Sequence, residues 1–294
     1  MIRLVDTHCH LDAAEFDADR AAVAAAAVQA GVDLIVVPAV ERANFGAVAS
    51  VCREFSGCLA AYGIHPMYAG KARIEDLDVL RETVSREQPL AIGEIGLDHF
   101  VEGRDEAQQD FYFGAQLQIA RDAGLPVLLH VRRAIDPVLK QLRRCRVSGG
   151  IAHAFNGSRQ QAAEFIKLGF KLGFGGAMTF PRASRIRELA ATLPLDAMVL
   201  ETDAPDMSPE WLAAPAASDQ ADSASDAADG RRRAAAARNT PDQLPRIAHA
   251  LAGLRGIAVE ALAEATTANA AAVLPGLACN HRVFSNQPKS GATA

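Results

Sequence analysis

The sequence predicts an α/β protein built as a (β/α)8 barrel, with eight parallel strands that are each followed by a helix. Eight short apolar segments alternate with segments of helical length along the 294 residues, and this alternation is typical of a parallel sheet covered by helices. A doubly wound open sheet has the same alternation. The count of eight and the absence of a GxGxxG motif after the first strand favour the barrel.

The predicted strands are short apolar runs, because the strands of a parallel sheet are buried on both faces. Val32–Val37, with the sequence VDLIVV, is the clearest example. Leu4 and Val5 belong to the first strand. The other six strands are predicted at Leu59–Gly63, Leu90–Glu94, Pro126–His130, Gly150–His153, Phe170–Phe174 and Ala197–Glu201.

The segments between the strands contain helix-forming residues and recognisable helix ends. Asp17 is a candidate N-cap, and Gly31 and Gly124 stand where helices are expected to end, since glycine readily adopts the left-handed conformation that terminates a helix. The predicted helices are Asp17–Ala30, Asn44–Phe55, Ile74–Glu87, Asp105–Ala123, Pro137–Arg144, Arg159–Leu168, Ser184–Leu193, Leu244–Leu254 and Val259–Leu274.

These elements form one predicted barrel domain over residues 1–275. Residues 213–238 interrupt the pattern with AAPAASDQADSASDAADGRRRAAAAR, which has no apolar period. A segment of this composition buries too little apolar surface to fold, so we predict a flexible insertion in the loop after strand eight. Residues 276–294 are predicted to be a disordered C-terminal tail.

The composition argues against several classes of protein. A formal net charge of -5 provides no long-range attraction for sequence-independent binding to duplex DNA. The five cysteines are scattered without a CxxC pair, so neither a disulfide framework nor a zinc knuckle is indicated. No apolar run has the length of a membrane span, and no signal peptide precedes the first strand. We expect a cytoplasmic protein with no membrane partner, and a monomer is compatible with the sequence.

Histidines and carboxylates stand at the ends of five predicted strands. The first strand leads into Asp6-Thr7-His8-Cys9-His10, where His8 and His10 share a face because side chains alternate along an extended chain. The residues of the same kind at later strand ends are Glu94, His130, His153 and Asp203. The carboxyl ends of barrel strands meet at one rim, so these six side chains are expected to lie together.

Four neutral imidazoles at one rim are difficult to satisfy by hydrogen bonds alone. Each histidine taken singly is adequately explained as a hydrogen-bonded core residue. The six ligand-type residues together favour two divalent cations that share a bridging carboxylate. Such donors suit zinc, manganese, iron or, with more water ligands, magnesium.

Several motifs resemble, in order and spacing, those of the TatD family of metal-dependent hydrolases. They are DTHCHLD, GIHP, GEIGLD, PVLLHVR, AHAFNGS, GFGGAMTFPRAS and LETDAP, and they cover about residues 4–274. The resemblance is greatest to the YjjV-like branch. It implies a two-metal TIM barrel of the amidohydrolase superfamily, in which several members are deoxyribonucleases.

The resemblance also implies a role for each ligand-type residue. His8, His10 and Asp203 would hold one metal, His130 and His153 the other, and Glu94 would bridge the two. Asp203 would also orient the attacking water and accept its proton, so Asp203 and Glu94 are the candidate catalytic residues.

Two positions depart from the family pattern, and both concern substrate contacts rather than metal ligands. The RNEP-like motif of the family corresponds here to Arg238-Asn239-Thr240-Pro241, so Thr240 replaces an acidic residue. His99 stands where many members have a tyrosine.

Three residues are candidate substrate contacts. Arg132 follows His130 by two residues, so it points along the same face and can reach a phosphate bidentately. Arg182 in TFPRAS is similar. His65, at the end of strand three, is expected to hydrogen-bond the substrate or its leaving group. Solvated arginines, and a histidine packed before Pro66, explain these positions equally well.

Two further carboxylates, Asp98 and Glu201, are better candidates for hydrogen bonds to metal-bound imidazoles than for ligands. Metal-bound histidines need such outer partners to fix the orientation of their rings.

The leading hypothesis is a metal-dependent phosphodiesterase, most simply a deoxyribonuclease that acts on single-stranded ends through water activated by two metals. Aromatic residues make up only 5% of the chain, which argues against an extended stacking platform. The alternative is an amidohydrolase-type enzyme that cleaves a small-molecule amide or ester. Many such enzymes bridge their metals through a carbamylated lysine, whereas no lysine lies near Glu94 in the sequence. A non-enzymatic module is a third hypothesis, and the complete ligand set argues against it.

Overall fold

The computed structural model describes residues 2–213 and 238–277. Within them, eight strands form one sheet in the order β1 to β8, and every neighbouring pair is parallel. This confirms the predicted (β/α)8 barrel. The strands are β1 Leu4–Asp6, β2 Val32–Pro38, β3 Cys58–Tyr62, β4 Ala91–Asp98, β5 Val127–Arg132, β6 Gly150–Ala152, β7 Phe170–Phe174 and β8 Met198–Leu200.

Helices follow each strand and cover the outside of the sheet. They are α1 Arg20–Ala30, α2 Phe45–Glu54, α3 Glu75–Glu87, α4 Glu106–Ala123, α5 Ile135–Arg144, α6 Arg159–Lys167, α7 Ser184–Thr192, α8 Leu244–Arg255 and α9 Val259–Val273. Gly31, with φ 93°, ends α1, and Gly124, with φ 66°, ends α4, as predicted. The predicted N-cap Asp17 is wrong: residues 14–16 form a short 3₁₀ turn, and α1 begins after Asp19.

Backbone hydrogen bonds close the barrel between its first and last strands. Thr7 N–H donates to the Leu200 carbonyl at 3.0 Å. Beyond the strand ends, Asp203 N–H donates to the His8 carbonyl and His10 N–H to the Ala204 carbonyl, both at 2.8 Å. The segments that carry His8, His10 and Asp203 are therefore fixed to one another through the main chain.

The hydrophobic core has two layers. The larger layer packs the strands against the surrounding helices. The smaller layer fills the barrel interior and includes Val5, Val36, Leu128, Ile151 and Val199. The end of α9 completes the inner layer through Ala270, Val273 and Leu274. Because Asn269 Nδ2 donates to the Leu195 and Met198 carbonyls at the start of β8, α9 closes the amino end of the barrel and leaves the carboxyl end open.

Strand β4 is longer than predicted, because it continues from Glu94 to Asp98. Its register against β5 shifts between Ile92 and Ile95, where three steps on β4 correspond to two on β5. This irregularity is a bulge, and a bulge redirects a side chain. Gly96 also permits the extension, since a Cβ there would lie 1.9 Å from the His130 carbonyl oxygen.

The predicted insertion at 213–238 and the predicted tail at 276–294 lie almost entirely outside the described residues. The ends of the first segment are held on the barrel. Trp211 Nε1 donates to Gln243 Oε1 at 2.9 Å, and Arg238 Nη2 pairs with Asp19 at 2.7 Å. In the described part of the chain, no helix is both long and apolar enough to cross a bilayer.

Candidate metal centre

The two histidines after β1 point into the open end of the barrel. Their Nε2 atoms lie 3.3 Å apart. Asp203 Oδ1 lies 3.6 Å from His8 Nε2 and 3.7 Å from His10 Nε2. Cys9, between the histidines, is fully buried on the other face. Asp203 has φ 56°, a left-handed conformation that aspartate tolerates better than most residues.

Glu94 lies at the middle of the site, and its two oxygens face different groups of imidazoles. Oε2 is 3.1 Å from His8 Nε2 and 3.6 Å from His10 Nε2. Oε1 is 3.0 Å from His130 Nδ1 and 3.4 Å from His153 Nε2. The bulge in β4 directs Glu94 toward the interior, where its side chain is 3% exposed. One carboxylate thus connects two clusters of ligand-type atoms.

Two outer carboxylates contact the second cluster, which consists of His130 and His153. Asp98 Oδ2 lies 3.0 Å from His130 Nε2, which turns Nδ1 of that ring toward Glu94. Glu201 Oε1 lies 3.4 Å from His153 Nδ1 and accepts a hydrogen bond from Ala154 N–H. The Asp98 contact has the geometry by which carboxylates fix metal-binding imidazoles, whereas Glu201 and His153 lie at ion-pair distance without a hydrogen bond between them.

Gly173 of β7 provides the space for Glu201. A Cβ at Gly173 would lie 2.1 Å from Glu201 Oε2. The first glycine of the GFGGAMTFPRAS motif thus packs against this carboxylate.

Asp6 is a structural residue of the site that is not predicted from the sequence. Asp6 is fully buried and accepts hydrogen bonds from Thr202 N–H at 2.9 Å, Thr202 Oγ1–H at 2.5 Å and His8 N–H at 3.3 Å. It therefore joins the segment after β1 to the segment after β8. Its position two residues before His8 is the sequence feature that could have indicated this role.

The titratable side chains of the site have pKa values that are shifted in both directions. Burial opposes protonation of His153, but Asp203, Glu94 and Glu201 outweigh it and raise its pKa to about 10. Burial, together with the neighbouring His153, lowers the pKa of His8 to about 3. Burial raises the pKa of Asp203 to about 7. Burial alone would also raise the pKa of Glu94, but the surrounding imidazoles hold it well below its usual range.

The donor set fits divalent cations. Ligand-type atoms lie within 4.8 Å of one another in three overlapping groups, and these are His8/Glu94/His153, His8/His10/Asp203 and His65/Glu94/His130. Nitrogen and carboxylate donors packed this closely need either shared protons or cations between them. All six ligand-type residues predicted from the sequence are brought together.

His65 lies next to the second cluster, with Nε2 3.5 Å from Glu94 Oε1. Its Nδ1 accepts a hydrogen bond from Met67 N–H at 3.1 Å, so the proton of the neutral ring is on Nε2. Burial lowers the pKa of His65 to about 4, which keeps the ring neutral near pH 7. His65 therefore presents an N–H donor, rather than a lone pair, to the centre.

The two predicted arginines differ in their surroundings. The Arg132 guanidinium packs on the Phe100 ring, with Cζ 3.7 Å from the ring centroid. Arg182 is exposed in the loop before α7. Within residues 2–213 and 238–277, no polar contact joins its side chain to the metal centre.

The two departures from the family pattern lie at the edges of the site. Asn239 is fully buried, and its Nδ2 donates to the Thr202 and Asp206 carbonyls at 2.8 Å. Thr240 N–H donates to Asn239 Oδ1 at 3.0 Å. His99 N–H donates to the Arg132 carbonyl at 2.9 Å. Asn239 thus supports the segment that carries Asp203.

Comparison with known proteins identifies the family of the chain. Residues 5–275 match the family model described as TatD related DNase. The uncharacterized metal-dependent hydrolase YjjV of Escherichia coli is 42% identical over 208 residues, which are 70% of this chain and 80% of YjjV. Its crystal structure superposes with a TM-score of 0.82 over 93% of this chain and 98% of that chain, at 35% identity.

A more distant relative carries a more specific name. The 3'-5' ssDNA/RNA exonuclease TatD of Erwinia billingiae is 30% identical over 271 residues, covering 91% of this chain and 97% of the relative. The family match spans nearly the whole described barrel. The chain therefore belongs to the TatD family of metal-dependent hydrolases.

Proposed function

We propose that this hydrolase cleaves phosphodiester bonds of DNA at single-stranded ends, using two divalent cations such as Mg, Mn or Zn. The main support is the position of Glu94, whose Oε2 faces His8 at 3.1 Å while Oε1 faces His130 at 3.0 Å. A carboxylate placed in this way suits a pair of cations, and paired cations suit in-line displacement at phosphorus. The relative named as a ssDNA/RNA exonuclease favours a nucleic-acid substrate.

In this proposal each cation has its own ligands. His8, His10 and Asp203 would hold one, His130 and His153 would hold the other, and Glu94, which lies between the two sets, would serve both. Bound cations would stabilise charge on the phosphoryl oxygens and lower the pKa of water.

The chain's own side chains carry the remaining steps. Asp203 Oδ1 faces His8 and His10, which leaves its second oxygen to accept a proton from the attacking water. Without a cation, burial raises the pKa of Asp203 to about 7; a bound cation would displace that proton and leave a carboxylate that can accept one from water near neutral pH. His65 donates Nε2–H to a phosphoryl or leaving oxygen. Arg132 and Arg182 bind phosphate through guanidinium N–H groups.

The test is hydrolysis of end-labelled single-stranded DNA by the metal-loaded protein and by Asp203→Asn. We expect the variant to lose activity by about 10²-fold or more, the usual range for loss of general base catalysis, with its circular dichroism unchanged. Asp196→Asn is the matched control, because Asp196 is exposed before β8, at the opposite end of the barrel. Metal analysis should give two equivalents in the wild type and fewer in Glu94→Gln.

Two outcomes would contradict the proposal. Full activity in metal-loaded Asp203→Asn would remove Asp203 from proton transfer. A wild-type protein that binds two metals and releases no nucleotide would exclude the nuclease, and a panel of small-molecule amides and esters would then be the next substrates to test.

A further inference from the structure

Two consecutive arginines pack on one phenylalanine beside the metal centre. Arg132 Cζ lies 3.7 Å, and Arg133 Cζ 4.3 Å, from the centroid of the Phe100 ring. In an extended strand, neighbouring side chains point to opposite faces. Arg133 instead has φ 53°, and this left-handed residue at the end of β5 turns both guanidinium groups toward the same ring.

The arginine pair is connected to the metal centre through Asp98. One oxygen of Asp98 lies 3.0 Å from His130 Nε2. The other accepts the Phe100 N–H at 2.8 Å and the Val101 N–H at 3.3 Å. A single buried carboxylate thus fixes both a ligand-type imidazole and the loop that carries Phe100. The pair therefore stands at the edge of the candidate metal centre, two and three residues after His130.

The arrangement suits an anion. When the flat face of a guanidinium group stacks on an aromatic ring, its N–H groups still point outward from the edge of the guanidinium. These N–H groups can then bind a phosphate bidentately. Phe100 and Arg132 are partly exposed, and Arg133 is exposed. Two acidic residues stand two positions from Phe100 in the sequence. Asp98 is occupied by His130 and by two backbone N–H groups, and Glu102 is exposed. Within the described ranges, no carboxylate forms an ion pair with Arg133.

We propose that Arg132 and Arg133, held by Phe100, form a subsite for a backbone phosphate of the polynucleotide next to the scissile one. This proposal rests on the proposed nuclease function and adds Arg133 as a binding residue and Phe100 as a positioning residue. It predicts that the subsite contributes only when the substrate has more than one phosphate.

The first test measures binding, so that it does not depend on turnover. A fluorescein-labelled oligothymidylate is titrated into metal-loaded Asp203→Asn protein between about 50 and 200 mM salt. Arg133→Gln added to this background should weaken binding about tenfold, as expected for a lost charge-assisted contact. The salt slope should become shallower by about 0.7, the value for one phosphate contact on a single strand. Arg144→Gln is the control, since Arg144 is exposed at the end of α5, away from the open end of the barrel.

The second test separates positioning from bulk packing. Phe100→Leu keeps an apolar side chain without the π face and should weaken binding, whereas Phe100→Tyr should restore it. In otherwise wild-type protein, Arg133→Gln should raise KM for the oligonucleotide with kcat unchanged. KM for bis(4-nitrophenyl) phosphate, which has one phosphate, should not change.

Binding and salt slope in Arg133→Gln equal to those in Arg144→Gln would overturn the subsite. Equal behaviour of Phe100→Leu and Phe100→Tyr would remove Phe100 as a positioning residue. Failure of the nuclease proposal gives a different result, namely no hydrolysis of DNA by the wild-type protein whatever the binding data show.

Discussion

Replacing Gly173 by alanine should weaken metal binding although Gly173 offers no ligand. The added Cβ would lie 2.1 Å from Oε2, 2.5 Å from Cδ and 2.6 Å from Oε1 of Glu201, and ordinary contact begins at 3.4 Å. The whole carboxylate must therefore move away by about 1 Å. Glu201 is fixed by the Ala154 N–H and is nearly fully buried, so the shift also disturbs its contact with His153.

The expected magnitude follows from the role of Glu201. Loss of an outer carboxylate partner typically reduces metal affinity about 10- to 100-fold, which corresponds to about 1.4–2.7 kcal/mol. A chelator-competition titration of purified protein measures this difference directly. Gly253→Ala is the matched control, because a Cβ there meets nothing within 4 Å, and it should bind metal like the wild type.

Folding must be checked alongside affinity. Circular dichroism and thermal unfolding would show whether Gly173→Ala retains the barrel. If the folded variant binds metal as tightly as Gly253→Ala, then the position of Glu201 does not support metal binding by His153.

Three further results are expected. Before metal binds, carboxylates raise the pKa of His153 to about 10 and burial raises that of Asp203 to about 7. Because a cation must displace the protons on both groups, metal affinity should increase from about pH 6 to about pH 8. Calorimetry in buffers of different ionisation enthalpy would count the protons released, and a count of zero would contradict this expectation. Chelation should lower the melting temperature, since a ligand at about 100 times its Kd stabilises the folded state by about 2.7 kcal/mol; equal melting curves with and without chelator would argue against a site formed only on folding. Asn239→Ala should reduce the free energy of unfolding by about 1–3 kcal/mol in urea titrations, because the buried carbonyl of Thr202 loses its donor, whereas the carbonyl of Asp206, an exposed residue, can bond to water instead. A loss below about 0.5 kcal/mol would mean that water replaces the amide at both carbonyls.

Much of the fold could be predicted because its signals are local. The β-branched run at Val32–Val37 and the glycine at position 31 depend only on their own conformational preferences, and both match the structure. The end of β4 could not be predicted in the same way. In its own segment, Gly96 suggests that the strand ends. In the structure, glycine is required there because the His130 carbonyl of the neighbouring strand approaches closely.

The candidate site shows the same division. The residue types at the strand ends were sufficient to predict that His8, Glu94 and the other ligand-type side chains lie close together. The supporting contacts depend on partners distant in sequence and were not visible. Asp6 receives its hydrogen bonds mainly from Thr202, 196 positions away, and the proton position of His65 depends on the backbone N–H of Met67.

Closure of the barrel has a consequence for synthesis of the chain. The segment carrying His8 and His10 emerges from the ribosome first, but its main-chain partners Leu200, Asp203 and Ala204 emerge only after seven strands have been made. Until then the two histidines cannot have their complete set of neighbours, and the first strand has an unpaired edge that invites wrong pairing. A cation held by both His8 and Asp203 could therefore be fully bound only after the first and last strands have come together. Its binding would indicate that the barrel has closed.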